Sequence, residues 1–162
     1  MNAPRLDVAT ALAEPAPVVR AALAAEQLQH CLPHRYPYLL VDCIEAYEPG
    51  QWLRGVKNIA SWEPMLVPPG IKEYPVGLVI ESIGQIAIAL FNLSRTDRVP
   101  PDILLGSLND VVIAQPVPLG CRLELYAEVG RELDNGFIFS GAASLNGRCV
   151  LSLGSLIAIE RP

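Results

Sequence analysis

The sequence predicts an α+β fold in which one long antiparallel β-sheet wraps round a single hydrophobic helix. Residues 77–93 form the longest apolar stretch, which exceeds the usual length of a strand and therefore indicates a helix. Extended stretches rich in β-branched residues make up most of the remainder, and Pro-Gly and Asn-Gly pairs interrupt them as in antiparallel hairpins. The chain lacks the strand–helix–strand alternation of nucleotide-binding sheets, which argues against a parallel sheet.

The composition of the 162 residues is that of one globular domain, because 51% are hydrophobic and only 18% are charged. The net charge is -5 and the 12 basic residues form no cluster, so the charge pattern of a nucleic-acid-binding protein is missing. Small acyl compounds or proteins are the expected partners. The four cysteines form no Cys-x-x-Cys pair and are expected to be reduced thiols in the cytoplasm; they are Cys31, Cys43, Cys121 and Cys149.

The first part of the chain is predicted to lie outside the folded core. Residues 1–16 combine prolines with small residues, which predicts a flexible N-terminal extension, and residues 17–162 are predicted to form a single domain. Asp7 and Glu14 interrupt the Ala-rich stretch, so we expect no signal peptide. The long apolar stretch also contains polar residues, so we expect no transmembrane segment.

A helix is predicted to open the domain, since Pro17 stands where a helix begins and Pro33 where it ends. Residues 36–60 then contain two extended runs separated by the turn sequence EPGQ, which indicates a hairpin. Residues 61–76 hold four prolines and a glycine, which exclude regular structure and predict a long loop. Ordered loops of this length often carry function.

The apolar helix over residues 77–93 is the centre of the predicted fold. Glu81 and Gln85 are four residues apart and therefore share one face of it, while its apolar sides must be covered by other elements. Four strands are expected to follow, with Asn-Gly turns between the last three, at 103–114, 119–132, 136–146 and 149–159. A long antiparallel sheet curled round one buried helix is the hot-dog fold.

Several stretches resemble the bacterial 3-hydroxyacyl-[acyl-carrier-protein] dehydratase family. The sequence LPHRYPYLLVDCI at 32–44 is similar to the family's opening, and PVGLVIESIGQ at 75–85 to the start of its central helix. LNDVVIAQPVPLGCRLEL and LNGRCVLSLGSLIAI are similar to its later strands, so the resemblance covers roughly residues 32–160. It implies a dimeric hot-dog lyase, or a higher oligomer of dimers, that removes water from 3-hydroxyacyl thioesters in fatty acid or polyketide and polyene synthesis. It also implies no cofactor.

The resemblance implies specific site residues. Glu81 matches the catalytic acid of the family, and the backbone N–H groups of Val76, Gly77 and Leu78 would bind the thioester oxygen at the helix N-terminus. Gln85 and Tyr74 are further candidates for substrate binding. The substrate would be a thioester of acyl carrier protein or coenzyme A.

The chain departs from the family at one position of the site. The family carries a His before the Pro-Gly pair, and this His works with the Glu across a dimer interface. Here Pro64 is followed by MLVPPGIKEYP, which contains no His. The missing base is therefore expected from residues 65–74 or from a different subunit, with Lys72 and Glu73 as polar residues of that loop.

Neither of the two histidines of the chain is the expected base. The resemblance implies a structural role for His34 at the start of the first strand, and Pro33 separates it from His30 and Cys31, which excludes a regular metal site. Three functions remain open for the chain: a dehydratase-like protein with an altered acid–base site, a non-catalytic subunit of a heterodimeric dehydratase, and an acyl thioesterase.

Overall fold

The computed structural model describes residues 22–61, 68–95 and 102–161 of the chain. These residues form one antiparallel sheet, a short helix and a long central helix, and the sheet and the central helix are as the sequence predicts. In chain order the elements are β1 (Leu23–Ala24), α1 (Ala25–Leu28), β2 (Cys43–Glu48), β3 (Trp52–Asn58), α2 (Val76–Leu93), β4 (Ile103–Ile113), β5 (Arg122–Leu133), β6 (Gly136–Leu145) and β7 (Arg148–Glu160).

The sheet has the strand order β1-β2-β3-β5-β6-β7-β4, and every neighbouring pair is antiparallel. The predicted hairpin turn joins β2 to β3, where Glu48 pairs with Trp52 and Gly50 adopts a φ of 73°. Asn146 and Gly147 likewise have positive φ values, 51° and 72°, which are typical of a tight Asn-Gly hairpin. The α+β hot-dog architecture is therefore confirmed.

Helix α2 is the core of the domain and packs against β3, β5, β6 and β7. By length and composition it could cross a membrane, but 61% of it is buried inside the protein, so we interpret it as a core helix. The sheet approaches the helix closely at Gly141, where a Cβ atom would lie 2.5 Å from Ile83 Cγ2 and 3.0 Å from the Tyr126 carbonyl oxygen. A larger residue at this position would push the helix away from the sheet.

The predicted N-terminal helix is wrong over part of its length. Leu23 and Ala24 form a strand that pairs with Ile44 and Cys43, and the helix that follows covers only Ala25–Leu28. The Ala-rich sequence favours a helix locally, but pairing with the edge of β2 satisfies the backbone of the two residues and outweighs that preference. The predicted extension, residues 1–16, lies outside the described residues, as do residues 62–67 of the predicted loop.

Candidate functional site

Glu81 lies in the N-terminal half of α2, on a side of the helix that is not fully covered. Val76 and Gly77 begin the helix and are exposed, and the Glu81 side chain is 38% exposed. One turn further on, Gln85 is fully buried and its amide nitrogen donates a hydrogen bond to Glu81 Oε1 at 3.1 Å. The carboxylate is therefore held from within the core, while part of it faces outward.

The Gln85 amide also joins the helix to the segment that precedes β2. Its nitrogen donates to the Tyr38 carbonyl oxygen at 2.7 Å, and its oxygen accepts from the Leu40 N–H at 2.8 Å. Buried polar groups require such partners, and here one side chain satisfies two backbone groups. Residues 38–40 are consequently fixed beside the face of α2 that carries Glu81.

His34 belongs to the same segment, and its imidazole reaches the carboxylate. His34 Nε2 lies 3.5 Å from Glu81 Oε1, which is an ion-pair distance when the imidazole is protonated. The His34 side chain is 24% exposed, and its Nδ1 atom is buried with no hydrogen-bond partner among the residues that the structure describes. The structure thus brings to Glu81 a residue that the sequence analysis had assigned a structural role.

Arg35 holds the turn that carries His34. Its guanidinium donates to the carbonyl oxygens of Leu32 and His34, both at 2.8 Å, and to that of Gln29 at 3.1 Å. The Arg35 carbonyl oxygen in turn accepts from the N–H groups of Tyr38 and Leu39. These bonds are local and fix the backbone on both sides of the imidazole.

The helix N-terminus offers two of the three predicted backbone donors. The Leu78 N–H already donates to the Pro75 carbonyl oxygen at 2.9 Å, so it is not available to bind the substrate. The N–H groups of Val76 and Gly77 have no acceptor within the helix and no partner in the described parts of the chain. They point outward at the positive end of the helix dipole, where they can bind an oxygen that gains negative charge.

The predicted loop residues lie in different surroundings. Tyr74 is buried in the core, with its N–H bonded to the Val117 carbonyl oxygen at 2.7 Å, which favours a packing role over substrate binding. Lys72 and Glu73 are exposed. Within the described ranges, no three His, Cys, Asp or Glu residues are grouped so that they could hold a metal ion.

Sequence reasoning missed the contact between His34 and Glu81. The two residues are far apart in the chain, and the hydrogen bonds of Gln85 to Tyr38 and Leu40 help to hold their segments together. Two features of the sequence could have indicated the contact: Gln85 on the apolar helix and the short turn that contains His34. Both lie in stretches that resemble the same family.

Comparison with known proteins identifies the family. No protein-family model matches the chain. The chain is 35% identical over 127 residues to a 3-hydroxyacyl-[acyl-carrier-protein] dehydratase FabZ from Mannheimia succiniciproducens, covering 77% of this chain and 85% of that protein. It is 34% identical over 143 residues to the protein of the same name from Thermomicrobium roseum, covering 86% of this chain and 95% of the relative.

Solved structures agree on the fold. The dehydratase heterocomplex ApeI:P from Xenorhabdus doucetiae superimposes with a TM-score of 0.72 at 16% identity, over 83% of this chain and 91% of that one. A putative thioesterase from Ralstonia eutropha superimposes with a TM-score of 0.56 at 17% identity, over 72% and 82% of the two chains. Identities this low support the hot-dog fold alone, whereas the sequence relatives show that this chain belongs to the FabZ-like 3-hydroxyacyl-[acyl-carrier-protein] dehydratase family.

Proposed function

We propose that this protein binds 3-hydroxyacyl thioesters and removes water from them, with Glu81 as the proton donor. The observation that carries the proposal is the position of Glu81, a partly exposed carboxylate and the only charged residue of a mostly apolar core helix. An acyl chain requires an apolar environment, and its reacting carbons require a polar group at one end of it. The N-terminal half of α2 carries Glu81 together with the apolar side chains of Leu78 and Ile80, which are only partly buried.

The chemistry needs a proton taken from C2, a proton given to the C3 hydroxyl, and stabilisation of the thioester oxygen. Each positioned acid or base typically contributes about 10²–10⁴-fold to the rate. The N–H groups of Val76 and Gly77 could stabilise the thioester oxygen. They precede Glu81 by five and four residues, which places them within about 7.5 Å of it along the helix axis. Gln85 orients the carboxylate through its 3.1 Å hydrogen bond.

The carrier of the acyl group is proposed from the relatives, whose names specify acyl carrier protein. A coenzyme A thioester contains the same reacting group and is the alternative substrate. We also propose that the protein acts in the cytoplasm, where such thioesters are made and where its cysteines would stay reduced.

We further propose that the protein pairs with a second copy through β4. This strand ends the sheet, so one of its edges lacks a neighbouring strand in the described chain. Val112 and Ile113 are 56% and 55% exposed on it, and Asp110 is its only charged residue. A long apolar edge strand of this kind favours pairing with another strand. The alternative is a heterodimer in which this chain would be a non-catalytic subunit, and the solved dehydratase heterocomplex is the precedent for it.

The activity is tested with the purified protein alone. A 3-hydroxyacyl group on acyl carrier protein is incubated with the wild-type chain and with Glu81→Gln, and loss of water is followed by mass spectrometry. Dehydration by the wild type and a large loss in the variant support the proposal. No dehydration by a folded protein that still binds the carrier would favour the non-catalytic subunit, and release of free thiol would favour the thioesterase.

The pairing is tested by light scattering of the wild type, Val112→Lys and Glu132→Lys. Glu132 is exposed on β5, away from the sheet edge, so the second variant controls for an added lysine. We expect a dimer for the wild type and for Glu132→Lys, and a monomer for Val112→Lys. A wild-type monomer, or a dimer in all three, would contradict pairing through β4.

A further inference from the structure

We infer that His34 is the second acid–base residue of the site and acts from the same subunit as Glu81. The inference rests on the proposed dehydration and extends it by naming the base. It starts from the 3.5 Å distance between His34 Nε2 and Glu81 Oε1 within one chain. Distances at an acid–base site are often longer before the substrate binds, so this separation suits two groups that act on adjacent atoms.

The imidazole is held in place before any substrate arrives. Arg35 bonds three carbonyl oxygens of the preceding backbone, including that of His34, and Gln85 bonds the backbone at Tyr38 and Leu40. The segment is thus fixed on both sides of His34, and the amide that fixes it also bonds Glu81. Catalytic groups on supported backbone keep the geometry that their reaction requires.

The two ring nitrogens of His34 lie in different surroundings. Here Nδ1 has no hydrogen-bond partner in the described residues, while Nε2 faces the carboxylate. Because Nδ1 is buried, Nε2 is the nitrogen that can meet a substrate.

The two groups complete a balanced elimination. Nε2 of His34 takes the proton from C2, and the electron pair of that C–H bond forms the C2=C3 double bond. The C3–O bond breaks, and the oxygen leaves as water after taking the proton of the Glu81 carboxyl group. An imidazolium and a carboxylate then remain in contact, and transfer of the proton from His34 to Glu81 restores both groups.

The first experiment is a double-mutant cycle on the full-length protein. We expect His34→Gln and Glu81→Gln each to lower kcat by about 10²–10⁴-fold, and the double variant to lose little more than either, because the two groups act as a unit. Added imidazole should partly restore His34→Ala and leave Glu81→Gln unchanged. Thermal unfolding of every variant checks the fold, and His34→Asn replaces any variant that does not fold.

The second experiment asks whether the pair acts within one subunit. His34→Gln protein is unfolded, mixed with Glu81→Gln protein, refolded together and assayed. A site within one chain gives no recovery, since every subunit lacks one group. A site shared between subunits would regain about a quarter of the activity, because half of randomly formed dimers are mixed and each has one intact site, and this recovery would overturn the inference.

The outcomes separate this inference from the proposed function. If the wild-type protein does not dehydrate the thioester, the proposed function itself is wrong. Wild-type protein that is active, together with a folded His34→Gln variant of unchanged kcat, leaves the function intact and overturns the role of His34. Additive effects of the two substitutions, without rescue by imidazole, would also overturn it.

Discussion

The two ends of α2 differ in what their side chains contact. At the site end, residues 76–85, exposed backbone amides and the Glu81 carboxylate face outward, and Gln85 bonds a neighbouring segment. At the core end, residues 86–91, every side chain is apolar and at most 3% exposed. One helix therefore provides chemistry at one end and stability at the other, and substitutions at the two ends should have separable effects.

The largest effect is expected for Glu81→Gln at the site end. The substitution keeps the shape and the position of the side chain but removes the acid, so kcat should fall by about 10²–10⁴-fold. Because Glu81 is partly exposed, the free energy of unfolding should change by no more than about 0.5 kcal/mol. Turnover assays and urea unfolding measure the two quantities. The same substitution at exposed Glu132 is the control. An equal loss of activity in Glu132→Gln would mean that the effect at Glu81 is not specific to the site end.

Phe91→Ala tests the core end. Phe91 is 1% exposed and meets Phe137 edge to face, with ring centroids 5.1 Å apart. Removing the ring leaves a cavity, so the free energy of unfolding should fall by about 3–5 kcal/mol, while the activity of the remaining folded protein changes little. Urea unfolding followed by circular dichroism measures the loss. Ile71→Ala truncates an exposed side chain and should cost less than about 0.5 kcal/mol.

Gln85→Met lies at the boundary between the two ends. The methionine fills a similar volume but leaves the Tyr38 carbonyl and the Leu40 N–H unpaired, each at roughly 1–3 kcal/mol. Because the segment with His34 loses its anchor, we expect activity to fall as well. Gln29→Met, at an exposed position, is the matched control. Lower stability with unchanged kcat would mean that the segment has no part in catalysis.

Gly141→Ala tests how closely the sheet packs on α2. The new Cβ would lie 2.5 Å from Ile83 Cγ2 and 3.0 Å from the Tyr126 carbonyl oxygen, so we expect a loss of about 1–3 kcal/mol in the free energy of unfolding. At Gly106 the nearest atom would be 3.7 Å away, and Gly106→Ala should cause little change. Equal unfolding midpoints for the two variants would show that the packing is looser than the structure indicates.

The sequence predicted the features that depend on local patterns. The length of the apolar run identified α2, and Asn146-Gly147 marked the last hairpin turn. It failed where distant segments decide the outcome. Leu23–Ala24 is a strand because its backbone pairs with the free edge of β2. His34 lies beside Glu81 because Gln85 binds the backbone of the segment that carries it. Neither contact leaves a period or a spacing that a single sequence reveals.

The smallest effect concerns Cys31, which lies beside the core end because its carbonyl oxygen accepts from Asn92 Nδ2 at 2.8 Å. Burial raises the pKa of the Cys31 thiol, so its reactive thiolate forms only at higher pH than in an exposed cysteine. We expect iodoacetamide to label Cys31 slowly at pH 8, and faster as the pH rises or after unfolding in urea. Peptide mass spectrometry measures the rate. Equal labelling rates in native and unfolded protein would show that the core end opens readily. The two ends of α2 would then differ in their amino-acid composition but not in how tightly they are packed.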